Sequence, residues 1–141
     1  MFLKSLSVGE GDMFYIRHSS KNFSIIDCCI GEENRDKIIE ELKYNRRDDD
    51  IVRFVSTHPD EDHILGLKYL DKEFGLPNIY VVKNEAIKKD EESEDFKFYK
   101  KVRNESRTCG IEKDLRRKWL NIGDTERDCS GISFLDRKSV V

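Results

Sequence analysis

Three features of this sequence predict an α/β fold with a mixed sheet and flanking helices. The first 27 residues read as short apolar strands separated by turns. Residues 32–47 then switch to a helical period. Two later apolar runs enclose a helical segment in the order strand, helix, strand, which requires a parallel pair.

The elements follow in order. "FLKSLSV" and "MFYIRH" are strands joined by the glycine-rich turn "GEGD", and "SSKN" turns the chain into a third strand, "FSIID". Three strands so close together predict an antiparallel meander. In "EENRDKIIEELKYNRR", Ile38, Ile39 and Leu42 form a narrow apolar stripe and Glu33 sits four residues before Lys37, as in an amphipathic helix. The charged turn "RDDD" leads to "IVRFVS", a strand buried on both faces. Ile64, Leu67 and Leu70 have helical spacing, and "LPNIYVV" is the next strand. From 83 to 107, fifteen of twenty-five residues are charged, eight basic and seven acidic, yet Phe96, Tyr99 and Val102 recur every third position. That pattern predicts a helix with a thin apolar face and a solvated back; a phosphate-contacting arm of Lys97, Lys100, Lys101 and Arg103 is the functional alternative. Trp119 is expected in the core, and "GISFLD" as a last strand.

Bulk properties narrow the class. A chain of 141 residues suits one domain with a small core. Charged residues make up 39% and the net charge is -3, so nothing global draws it to nucleic acid or an anionic membrane. Cys28, Cys29, Cys109 and Cys129 form no C-x-x-C pair, and free thiols in a reducing compartment are expected. No segment resembles a signal peptide or a membrane span. The expectation is a soluble cytoplasmic protein.

The chemistry lies in "STHPDEDHILGL", residues 56–67. Two histidines and three acids fall within the six positions from His58 to His63, straight after a buried strand. Side chains alternate faces in an extended segment, so His58, Asp60 and Asp62 project one way and Glu61 the other. Pro59 biases His58 toward extended backbone. His63, at the turn into the helix, can swing back to the same point. Two nitrogen and two oxygen donors thus converge from His58, Asp60, Asp62 and His63. Such a set suits zinc, manganese or iron better than calcium. Two ionised aspartates in one cleft repel, and a divalent cation relieves that cost. Taken singly, Asp62 could cap a helix and His58 could be a strand-end residue bonded to backbone; four together favour a metal.

"THPDEDH" followed by "ILGL" resembles the H-x-H-x-D-H signature of the metallo-β-lactamase fold hydrolases. "SVGEGDMFYI" followed by "SIIDCCIG" resembles the family's opening strands, and the nearest branch is the hydrolase domain of competence-type DNA-uptake proteins. The resemblance covers most of residues 1–82. It implies that His58 serves a first metal site and that Asp62 and His63 serve a second. Asp60 stands where the family has a second histidine, an oxygen donor that shifts preference toward manganese or iron, with zinc the first expectation. Asp62 is also the implied catalytic residue, orienting the attacking water. Asp27 matches the family's I-D position and is expected to support the ligands rather than bind metal itself. Cys28 and Cys29, where the family often has glycine, are expected as small buried hydrophobes.

The family also has a later histidine for the first site, a bridging aspartate and a final histidine. This sequence has one further histidine, His18, which comes too early. The resemblance therefore implies the N-terminal half of an αββα sandwich in a single domain over residues 1–141, incomplete at its C-terminus. Little activity is expected of it alone, and the inner sheet face is expected to be wet. The functional expectation is a hydrolase acting on an anionic phosphodiester through a dinuclear metal-activated water. The alternative is an inactive or partner-completed half-domain that binds another protein through an exposed sheet edge.

Overall fold

A computed structural model of the chain describes residues 1–88, 90–120, 130 and 132–134. Strands β1 (Phe2–Ser5), β2 (Phe14–Arg17) and β3 (Asn22–Ile26) form the expected antiparallel meander. The two-residue β4 (Cys28–Cys29) leaves the main sheet and bridges Ile64 and Leu65. Helix α1 (Arg35–Asn45) then crosses to β5 (Ile51–Ser56), which lies parallel to β3. The short α2 (Glu61–Ile64) and α3 (Leu67–Phe74) lead to β6 (Asn78–Val82), parallel to β5. Helix α4 (Glu94–Val102) leads to β7 (Thr108–Ile111), parallel to β6. One six-stranded mixed sheet results, in the order β1-β2-β3-β5-β6-β7.

Alternation along the central strands sorts the core into two layers. Phe23, Ile25, Val52, Phe54, Ile79 and Val81 face the helices and meet Ile38 and Leu42, Leu67 and Leu70, and Phe96 and Tyr99. Burying each of these large side chains contributes roughly 1.5–3 kcal/mol. Val55 and Tyr80 point to the opposite face and pack on Trp119, with Ile132 and Phe134 beside them. Trp119 Nε1 donates to Tyr80 Oη at 2.7 Å, and the Arg53 guanidinium lies 4.7 Å from the Trp119 ring centroid. The expected wet inner face is thus corrected at β5 and β6: Val55 and Tyr80 are buried there by the segment that follows β7.

Three other expectations change. The single helix read after residue 63 is two helices, because Gly66 takes φ 79° and lies against Ile30; a Cβ there would stand 2.6 Å from Ile30 Cβ. The long charged helix shrinks to α4. Ser93 caps it by accepting from Phe96 N, and upstream the Asn84 side chain bonds Val82 O and Ala86 N, offering the backbone an alternative to helix. Strand β7 was not anticipated: four residues carry little pattern, but the open edge of β6 pairs with them. In the stretch read as a last strand, residues 132–134 take no regular structure and the rest lies outside the described residues. Lys97 and Lys100 pair with Glu94 and Glu92, as a solvated face would.

At the other end of β3, His18 is buried, 2% exposed. Its Nε2 lies 2.9 Å from Ser24 Oγ, and Nδ1 has no partner among the described residues. Burial, reinforced by the nearby Arg53 charge, lowers its pKa from 6.5 to about 4. Between those values the unfolded chain binds the extra proton and the folded chain does not, so stability falls as pH falls through this window. The loss amounts to about 3 kcal/mol at most. Urea unfolding from pH 7 to pH 4.5 should show a shallower decline in a His18→Gln variant; equal slopes would count against the buried neutral imidazole.

Candidate metal centre

The strand that carries the site is β5, and its C-terminal end opens into the loop at residues 57–60. Asp27 enters from β3, the parallel neighbour. It sits immediately after that strand at φ 54°, a left-handed conformation that aspartate tolerates better than most residues. Its backbone N donates to Val55 O at 2.9 Å, which holds the kink. Strained positions that persist in a rigid frame mark candidate functional sites.

The Asp27 carboxylate is 2% exposed as a residue and accepts three hydrogen bonds. Thr57 N donates to Oδ1 at 2.7 Å, and Thr57 Oγ1 donates to Oδ2 at 2.5 Å. His63 Nδ1 lies 2.9 Å from the same Oδ2. The proton positions follow from donor arithmetic. An ionised carboxylate only accepts, so His63 carries its proton on Nδ1. The one hydroxyl proton of Thr57 is spent on Asp27. His58 Nδ1, 2.9 Å from Thr57 Oγ1, must therefore be the donor of that pair. In its neutral form each imidazole then keeps a lone pair on Nε2.

Those two nitrogens face carboxylates. His58 Nε2 is 3.5 Å from Asp60 Oδ2, and His63 Nε2 is 3.8 Å from Asp62 Oδ2. Two donors bound tetrahedrally at about 2.1 Å stand roughly 3.4 Å apart, close to both spacings. The two imidazole centroids are 3.9 Å apart. Donor atoms of Asp27, His58 and His63 also lie within 4.8 Å of one another. Asp27, His58 and His63 are therefore the group that could hold a metal ion; Asp60 and Asp62 each approach one histidine without joining that group. His58, Asp60 and Asp62 open to solvent while His63 is mostly covered, so the cluster has an accessible side.

The local backbone differs from a simple alternating strand. Asp60 is the last extended residue, at the N-cap of α2 without a side-chain cap bond, and Asp62 and His63 ride on the helical turn. Capping therefore explains neither aspartate. Glu61 turns to Lys88, whose Nζ donates at 2.5 Å. Burial works against its charge, but the bonds from Lys88 and Ser93 hold its carboxyl below the usual range.

Cys28 and Cys29 are buried free thiols. Burial pushes the Cys29 thiol up, and the charges of Asp62 and Asp12 add to this, so it remains a protonated small hydrophobe rather than a thiolate donor. Cys109 is also free, and Cys129 lies outside the described residues. Thr57, which bonds both Asp27 and His58, is the residue of the candidate site that sequence reasoning missed. Its only signal was its place between the strand and His58.

The family model for the metallo-beta-lactamase superfamily matches residues 6–130. The chain belongs to the metallo-beta-lactamase superfamily. Metal-dependent hydrolysis is the activity this membership suggests, and the mixed sheet with flanking helices is consistent with its fold. A search among curated proteins finds no match to the chain. No helix among the described residues is long and apolar enough to cross a membrane.

Proposed function

We propose that this superfamily member hydrolyses a phosphodiester, using a divalent ion held by Nε2 of His58 and His63 and by the carboxylates of Asp60 and Asp62. The observation that carries the reading is the clustering of Asp27, His58 and His63 donor atoms within 4.8 Å, with Asp60 and Asp62 each beside one imidazole. Zinc is the first candidate; two oxygen donors also suit manganese or iron. A divalent cation supplies Lewis acidity, the means to acidify a water to a pKa of about 7 and to polarise a substrate oxygen. Asp62, half open to solvent, orients the attacking water. Asp27 and Thr57 keep both imidazoles in the receptive tautomer. Lys88 is paired with Glu61 and one divalent ion only balances Asp60 and Asp62, so it is the second ion of a dinuclear centre that would leave a cationic floor favouring an anionic ester.

A dinuclear version needs donors beyond this cluster, from further chain or from a partner. A second reading, in which a partner completes the domain, draws on β1. That strand forms an edge of the sheet, and all four of its residues are exposed.

The test is turnover of bis(p-nitrophenyl) phosphate and of a chromogenic lactam, with zinc or manganese. The 141-residue chain is assayed alone and as expressed from its full reading frame. Metal-dependent phosphodiester turnover that His58→Ala removes is the expected result. It should be weak in the chain alone if completion is needed. Turnover of the lactam with none of the diester would overturn the substrate assignment.

A further inference from the structure

The turn between β1 and β2 presses on the metal loop at one point. A Cβ built on Gly11 would stand 2.3 Å from the Asp62 carbonyl oxygen and 2.5 Å from Cys29 Sγ. It would also stand 2.7 Å from Cys29 Cβ. No side chain fits at such separations unless backbone moves. Gly9, two residues earlier, differs: its φ is 86°, and a Cβ there would meet nothing within 4 Å. One glycine serves the bend of the turn, the other a close approach.

The turn is anchored independently of the metal loop. Leu6 N donates to Met13 O at 2.9 Å, and Met13 is fully buried. Cys29 Sγ makes a long, weak contact to Val8 O at 3.8 Å. A fixed wall therefore stands behind the Asp62 backbone. On its other side the loop is tied through Glu61 to Lys88. Asp62 and His63 are consecutive in a helix of four residues, so a displacement of one peptide moves both donors.

We infer that Gly11 is a positioning residue for the metal centre, letting the turn at residues 9–12 seat against the Asp62 carbonyl and so setting where the Asp62 carboxylate and the His63 ring stand. This rests on the metal assignment above and adds the β1–β2 turn to the site. An alanine at this position must drive the Asp62 peptide away by about 1 Å to reach ordinary contact distance. That displacement is large against the tolerance of a preorganised ligand set.

The experiment compares the wild-type chain with Gly11→Ala and, as a control away from the site, Gly75→Ala, with cobalt(II) as the probe. Thermal stability, cobalt affinity and the ligand-field spectrum are measured on each. Gly11→Ala should lose at least tenfold in affinity and shift its absorption bands. Gly75→Ala, strained but unobstructed, should bind within about threefold of wild type with an unchanged spectrum. Wild-type-like affinity and spectrum in Gly11→Ala would overturn the positioning role while leaving the metal assignment intact. Failure of the wild type to bind cobalt in a His58- and His63-dependent way would remove the metal assignment itself. Should Gly11→Ala not fold, hydrogen exchange on the wild type decides. Metal should slow the amides of residues 9–12 several-fold, and unchanged exchange there would overturn the inference.

Discussion

Replacing His58 and His63 together by alanine should weaken divalent-metal binding by at least a hundredfold. Among the described residues, His58 and His63 supply the nitrogen donors of the cluster, and the tautomer argument leaves a lone pair on the Nε2 of each. Without them, Asp60 and Asp62 remain as two exposed carboxylates, which bind transition metals no better than many surface acids do. Fold stability should change far less. The His58 side chain is 45% exposed, and Asp27 keeps both Thr57 donors when the His63 bond is lost. The cost of that one bond is about 1–3 kcal/mol. Calorimetric titration with zinc, paired with urea unfolding in chelator, separates the two effects. Equal zinc affinity in wild type and double variant would sink the assignment of the site.

The Asp27→Asn variant should lose 10–100-fold in metal affinity although Asp27 need not touch the ion. The argument is about a proton. Thr57 N donates to Oδ1, so the asparagine carbonyl oxygen must take that position. The amide nitrogen then falls where Oδ2 was, against Thr57 Oγ1 and His63 Nδ1. An NH2 group there donates to Nδ1 and drives the imidazole proton to Nε2, which removes the lone pair from the metal-facing atom. Asparagine also accepts the left-handed backbone at this position, so the fold is spared. Nitrogen NMR of the His63 ring should report the tautomer change in the metal-free protein. An unchanged tautomer with unchanged affinity would show that Asp27 does not set the ring.

Much of this was legible from local pattern. The strands "MFYIRH", "FSIID" and "IVRFVS" were readable because alternation and β-branched residues survive in short runs. The parallel pairing of β5 and β6 followed from the helix between them. His58, Asp60, Asp62 and His63 stood out because they lie six residues apart or fewer. Elements that depend on a partner were not readable. Strand β7 exists because β6 offers it an edge, and the break at Gly66 reflects contact with Ile30, 36 positions away.

The sequence by itself determined the alternation of strands and helices, the crowding of donors after a buried strand, and the chemistry class of those donors. These are properties of neighbours along the chain. Only the tertiary structure decided which nitrogen of each histidine is free, because the Asp27 carboxylate that sets both reaches them from another strand, 30 positions before Thr57 and 36 before His63. It likewise decided that Gly11 faces Asp62 and that Trp119 covers Tyr80. Hydrogen-bond direction and close packing act between atoms a few ångströms apart, and only the fold brings such distant positions that near.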